Sequence, residues 1–179
     1  LKSERDSLMK SFVPYFNLNE NIGKAKIAQF RKYYKDGIPG LPLEYVDIVA
    51  QRLHELYETG IANSANFTSL MKDSSNVVHV VVGKQAISKP VGQLFTTLGA
   101  YENLFATQLL SAKRSVLQQC NLNEYIEPNL IYDKERNESE MNDMLSLIPQ
   151  ASGMVLEGQR IIDRGDIVDA KTYRVLYSF

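Results

Sequence analysis

Few residues in this chain have the types and spacing that chemistry needs. His54-Glu55 opens like the zinc-protease motif HExxH, but position 58 is Glu58, so the second imidazole is missing. Zinc sites take several thiolate or imidazole ligands, and the whole chain has two His and one Cys. His54 therefore reads as an ordinary helix residue. His79 sits in an apolar run and reads as a core histidine with its nitrogens satisfied. Cys120 reads as a small buried residue, because no basic helix start or His lies near it in sequence. Ser7-x-x-Lys10 and Ser69-x-x-Lys72 both spell SxxK, yet the partner motifs SDN and KTG are absent, so nucleophilic catalysis is not expected. Neither GxxxxGK[ST] nor GxGxxG occurs, so no phosphate cradle is signalled. Asp133, Glu135, Glu138, Glu140 and Asp143 form an acidic run on a predicted helix. That run reads as a solvated face, because nothing in it fixes oxygen ligands as a calcium loop does. Asn66-Phe-Thr68 and Asn137-Glu-Ser139 are glycosylation sequons, relevant only in a eukaryotic secretory pathway.

The most unusual chemistry lies near the C-terminus. Within Glu157–Val168, Gly158 and Gly165 bracket a short alternating strand, and Ile162 and Val168 are expected to point inward. Arg160, Asp163, Arg164 and Asp166 then crowd one charged surface, the candidate contact for a charged ligand or partner domain. The plainer reading of the same four residues is a soluble, charge-paired turn.

Composition sets the outer bounds. The 179 residues are 44% hydrophobic and 23% charged, which excludes disordered and collagen-like classes. A net charge of −1 argues against a general nucleic-acid binder. Residues 1–36 carry an excess of four positive charges, and residues 121–179 an excess of five negative ones. The longest apolar stretch, Val77–Val82, is far below the roughly 20 residues of a membrane helix. Leu1 is not an initiator Met and opens no signal peptide, which reads as a piece excised from something longer.

The elements that must position these residues alternate between two periods. A first helix covers residues 1–12 and ends before Pro14. Asn19 or Asn21 caps a second, running to about Asp36 with Ile22, Ile27, Phe30 and Tyr34 as its stripe. The breakers Gly37 to Pro42 separate it from a third helix ending at Thr59, with Gly60 as its stop. Asn76–Val82 is a buried strand, and Gln85–Ser88 pairs back onto it after Gly83-Lys84. A fourth helix covers about 97–110, with Leu98, Tyr101, Phe105 and Leu109 on one face, and continues or restarts through Val116–Cys120. Asp133 or Asn137 caps a fifth helix to about Ile148, buried through Met141, Met144, Leu145 and Ile148. Three short strands follow within 153–168, and Asp169 opens a last helix. Pro14-Tyr-Phe-Asn-Leu-Asn19 and Pro128-Asn-Leu-Ile-Tyr-Asp133 echo each other, each a Pro, an extended aromatic stretch and an Asx cap. The expected class is α+β: one helix-rich domain with a small β-unit from about 76–88 and 153–168.

Gly158-Gln-Arg-Ile-Ile-Asp-Arg-Gly-Asp-Ile-Val168, followed by Asp-Ala-Lys-Thr-Tyr173, resembles the extracytoplasmic domain of the seven-transmembrane HD-hydrolase family. Lys35-Asp-Gly-Ile-Pro-Gly-Leu-Pro42 and Pro128–Asp133 resemble its Bacteroides-like version. The resemblance covers nearly the whole chain. It implies one extracytoplasmic domain over 1–179, with 1–13 and 169–179 as membrane-proximal helices. It places the domain on the periplasmic face of the bacterial inner membrane, in a cyclic di-AMP phosphodiesterase-like parent. The parent's HD domain binds metal through an adjacent His-Asp pair. Here His54 precedes Glu55 and His79 precedes Val80, so no catalytic or metal residue and no cofactor carries over.

The leading expectation is a non-catalytic sensory or regulatory domain. Its partners would be a small-molecule or protein signal, its own membrane helices and HD domain, and a second copy in a homodimer. The rival is a non-sensing interaction or dimerisation module of the cell envelope.

Overall fold

The computed structural model describes residues 2–72 and 76–148. In chain order the elements are α1 (Lys2–Ser11), β1 (Tyr15–Leu18), α2 (Glu20–Tyr33), α3 (Glu44–Thr59), α4 (Ser64–Lys72), β2 (Val77–Val82) and β3 (Gln85–Pro90). They continue with α5 (Thr97–Leu104), α6 (Gln108–Ser111), α7 (Arg114–Leu117), β4 (Leu130–Tyr132) and α8 (Lys134–Leu145). The fold is α+β, as its two hydrophobic periods require. Residues 10–138 form one compact unit that holds the sheet and both hydrophobic clusters described next. Residues 1–9 and 139–179 are assigned to the other unit.

The larger cluster is helical. The α3 stripe buries Val46, Val49, Ala50, Leu53, Leu56 and Tyr57 at helical spacing, against Phe30 of α2 and Leu104, Leu110, Leu117 and Leu122. The approach of α2 to α3 is set by Gly23, where a Cβ would come within 2.8 Å of Tyr57 Cγ. Asn19 caps α2 by accepting from the Asn21 N–H at 3.0 Å. Gly60 ends α3 at φ +113°, a conformation that favours glycine, and its Cα lies where a Cβ would meet Leu130 Cδ1 at 2.9 Å.

The smaller cluster lies under the sheet. Strand order is β3-β2-β1-β4, with β1 and β2 parallel and both outer pairs antiparallel. Phe16, Val78, Val80 and Leu130 point to one face, where Leu70, Val91 and Leu94 complete the cluster. Tyr15, Asn17, His79 and Val81 lie on the other face, half-buried.

Several expectations change here. The sheet's second half is β1 and β4, two stretches expected to be extended but not assigned to a sheet. The segment 153–168 lies outside the described residues. The echo between Pro14–Asn19 and Pro128–Asp133 proves spatial: β1 and β4 are neighbours, centred on the pair Asn17–Ile131. Asn19 N–H donates to Asn129 O at 2.8 Å, and Asp133 N–H to Tyr15 O at 3.1 Å, so matching positions exchange matching bonds. The fourth helix breaks after Leu104, which resets its phase. Ala100, Leu104, Phe105 and Leu110 turn inward, while Leu98 is 71% and Leu109 56% exposed. Helix α4 had no clear apolar period and was not expected; Asn63 starts it by accepting from the Asn66 N–H at 2.7 Å.

Two stability predictions follow from the α2–α3 contact. Gly23→Ala forces a Cβ into the Tyr57 ring and lowers stability by about 1–3 kcal/mol in urea denaturation. Burial pushes the Tyr57 phenol up to about 12, while the Glu127 N–H donated to its oxygen offsets part of that rise. The unfolded chain loses this proton near pH 10 and the folded chain keeps it. The Tyr57 contribution is therefore complete below pH 10 and is lost as pH rises toward 12. The slope is about 1.4 kcal/mol per pH unit. Tyr57→Phe flattens that alkaline slope, as denaturation midpoints between pH 9 and 11 will show.

Candidate functional site

The first strand of the unit 10–138 is β1 and its last helix is α8, and the two touch. Pro14 cannot extend a helix from α1, so Tyr15 opens a strand beside β2. Asp133 starts α8 by accepting from the Arg136 N–H at 3.1 Å through Oδ1. Its other oxygen accepts from Asn17 Nδ2 at 3.0 Å. The helix then places Asn137 one turn on, with its side chain over the start of β1.

Asn137 is 1% exposed, and both ends of its amide are used on a residue far away in sequence. Tyr15 N–H donates to Asn137 Oδ1 at 2.6 Å, and Asn137 Nδ2 donates to Tyr15 O at 2.8 Å. A side-chain amide thus does for Tyr15 what a neighbouring strand would do. The Asp133 N–H reaches the same carbonyl at 3.1 Å. The Tyr15 ring is held as well: the His79 imidazole stacks on it at 4.4 Å and 28°, and the Arg136 guanidinium lies 3.9 Å from its centroid. Beside it, Tyr132 meets Phe16 edge-on at 5.4 Å. Its phenol is raised by burial and by the Glu138 charge. The arrangement is a latch between incoming strand and outgoing helix.

The structure corrects the sequence reading of these residues. His79 is half-buried on the sheet face away from the core and spends its ring on Tyr15. Of the two candidate caps it is Asp133 that starts α8; Asn137 lies inside the helix. His54 is exposed on α3, 3.3 Å from Glu58 one turn on. Cys120 is half-buried, and its carbonyl accepts from the Tyr34 hydroxyl at 3.2 Å. Glu135, Glu138, Glu140 and Asp143 are exposed, as expected for a solvated face. Among the described residues no group of three or more His, Cys, Asp or Glu could hold a metal. Arg160, Asp163, Arg164 and Asp166 lie outside the described residues. Sequence reading had the signal for the latch in the paired Pro–strand–Asx patterns, but nothing in one sequence pairs Tyr15 with Asn137.

Asn137→Ala leaves the half-buried Tyr15 N–H without its acceptor and removes one of two donors to the Tyr15 carbonyl, which keeps the Asp133 N–H. It costs about 1–3 kcal/mol in denaturation, whereas Arg136→Ala, which removes an exposed cation–π contact, costs about 0.5–1 kcal/mol.

Comparison with known proteins gives one match. No curated protein and no solved structure matches the chain. Residues 3–179 match the family described as 7TM-HD extracellular. A domain of that description lies outside the cytoplasm as part of a membrane protein, and the HD domain of such proteins is not in this chain. Among the described residues no helix is long and apolar enough to cross a membrane. With the match running over almost its whole length, the chain belongs to the 7TM-HD extracellular family.

Proposed function

We propose that this domain is the non-catalytic sensory and regulatory module of a membrane-bound HD phosphohydrolase, acting on cyclic di-AMP, at the periplasmic face of a bacterial inner membrane. The observation that carries the reading is the latch. The chain runs into the unit 10–138 through the end of α1 and out of it within α8, and Tyr15 and Asn137 lie on the first strand and the last helix of that unit. A signal acts on a distant domain only by preferring one of two conformations. Two segments bonded to each other shift as a pair, so a small rearrangement of the sheet moves both connections together. The signal itself is a small molecule or a protein. Arg160, Asp163, Arg164 and Asp166 are the proposed contacts for a charged group on it.

The test is cyclic di-AMP hydrolysis by the parent protein in membranes, at matched expression, in three forms: intact, lacking this domain, and carrying Asn137→Ala. Removing the domain is expected to change the rate by about fivefold or more, the low end of ordinary coupling energies. Asn137→Ala is expected to move the rate in the same direction. Equal rates in all three forms would overturn the regulatory reading. No hydrolysis in any form would overturn the assignment of substrate.

A further inference from the structure

Among the described residues the sheet ends at β3, and that edge is built to pair. All six residues of β3 match β2 in an unbroken register, Val77–Pro90 through Val82–Gln85, with no bulge. A two-residue turn, Gly83-Lys84, closes the hairpin, with Gly83 at φ +63°. The hydrogen-bond phase is fixed at the other end, where Val91 N–H donates to Asn76 O at 2.8 Å. On the far side of β2, His79 N–H donates to Pro14 O at 2.8 Å, away from β3. Alternation then assigns every residue. Gln85, Ile87 and Lys89 turn their main-chain groups toward β2. Ala86, Ser88 and Pro90 turn theirs outward, so the missing N–H of Pro90 falls where no partner in the sheet needs it.

Two usual guards of a strand edge are present, but Pro90 blocks only the last position of β3 and leaves Ala86 and Ser88 open. Lysine side chains commonly protect such edges. Lys89 is instead drawn over the sheet, its Nζ donating to Thr59 O at 3.0 Å and Glu58 O at 3.4 Å, where it meets the negative end of α3. Ile87, on the core face beside Val80, is left 45% exposed.

We infer that β3 pairs antiparallel with β3 of a second copy, about a two-fold axis at Ile87. In that register Ala86 stands opposite Ser88 of the other copy, and the reverse. Each pair exchanges both main-chain bonds, so every outward donor and acceptor of Ala86 and Ser88 is used. Ile87 meets its own counterpart as a non-hydrogen-bonded pair, with Cα atoms about 4.5 Å apart, and the exposed apolar surface is covered. Sliding by two residues one way sets Ala86 against Pro90, which has no N–H to give. Sliding the other way sets Ser88 against the turn residue Lys84. The edge therefore fits itself in one register. A six-residue edge alone falls below the roughly 1,200 Å² of a stable interface, so the pairing is weak in solution. Tethering both copies in one membrane raises their effective concentration.

The test is disulfide trapping in the 179-residue chain, with Cys120→Ser to remove the native thiol. Cα atoms about 4.5 Å apart fall within the range a disulfide spans. Ile87→Cys is expected to give a covalent dimer. Gln85→Cys, on the same edge and face but far from its own counterpart in this register, is expected to give none. Adding Ser88→Pro or, as a second variant, Ala86→Pro removes an outward N–H without touching the β2 ladder. Either is expected to cut Ile87→Cys trapping by about tenfold or more, with unfolding curves confirming the fold. Equal trapping at positions 85 and 87, no trapping at 87, or trapping unaffected by both proline variants would overturn the inference.

Discussion

Two asparagine side chains hold this fold to one arrangement. Asn129 and Asn137 are the buried polar residues among the described ones, and each amide is spent on main-chain groups far away in sequence. Asn129 Oδ1 accepts from Ile61 N–H at 2.8 Å, and Asn129 Nδ2 donates to Tyr57 O at 2.9 Å. Its own N–H donates to Ile61 O at 2.9 Å, and its carbonyl accepts from Asn19 N–H. One residue thus ties the end of α3, the following loop, β4 and the start of α2. It joins the helical cluster to the sheet cluster, which nonpolar packing alone would let slide. A buried amide with all its partners specifies register, because any shift leaves donors and acceptors empty in a place water does not reach.

Asn137 solves the matching problem on the other side. β1 lies between β2 and β4, but β4 spans only Leu130–Tyr132, so the first residue of β1 outruns its neighbour. An unpaired main chain at that point would cost more than an ordinary hydrogen bond returns. The helix following β4 supplies the amide that completes the ladder. The consequence is functional: the same contact that satisfies Tyr15 fastens the outgoing helix to the incoming strand. Under the proposed regulatory role, both connections would move as one body. Neither Tyr15 nor Asn137 belongs to either hydrophobic cluster, so one substitution breaks both bonds without removing a core side chain.

How much of this was legible depended on where the information sits. Helix α3 was readable because its stripe is long and its stop is a glycine; both are local. The hairpin β2–β3 was readable for the same reason, from β-branched residues around a two-residue turn. The face of α5 was misread because the chain breaks after Leu104, and a periodicity extended across a break assigns Leu98 and Leu109 to the wrong side. β1 and β4 were seen as extended, yet their pairing is a long-range fact that no local period carries. The latch was hidden for a chemical reason. Asn is a common cap and turn residue, so Asn137 looked like a cap of its own helix, and its partner is a main chain, which has no sequence signature. The family was legible from the glycine-bracketed motif near the C-terminus, far from the latch.

The latch and the open edge are linked by geometry as well as by shared strands. Ser88, whose main chain faces outward, pairs with His79 across β2–β3; His79 stacks on Tyr15; and Tyr15 carries Arg136 of α8. One row of residues therefore crosses the exposed face of the sheet from β3 to the outgoing helix. Adjacency alone does not transmit anything, since coupling requires an element with two arrangements. A sheet edge that is paired in one state and free in another is such an element. Pairing would straighten and hold β3, and the strand stack from β3 through β2 to β1 leads to the strand that carries the Tyr15–Asn137 contact. On this view a signal need not reach the latch. Changing the pairing at the far edge would suffice, which makes dimer geometry and regulatory output two readings of the same sheet.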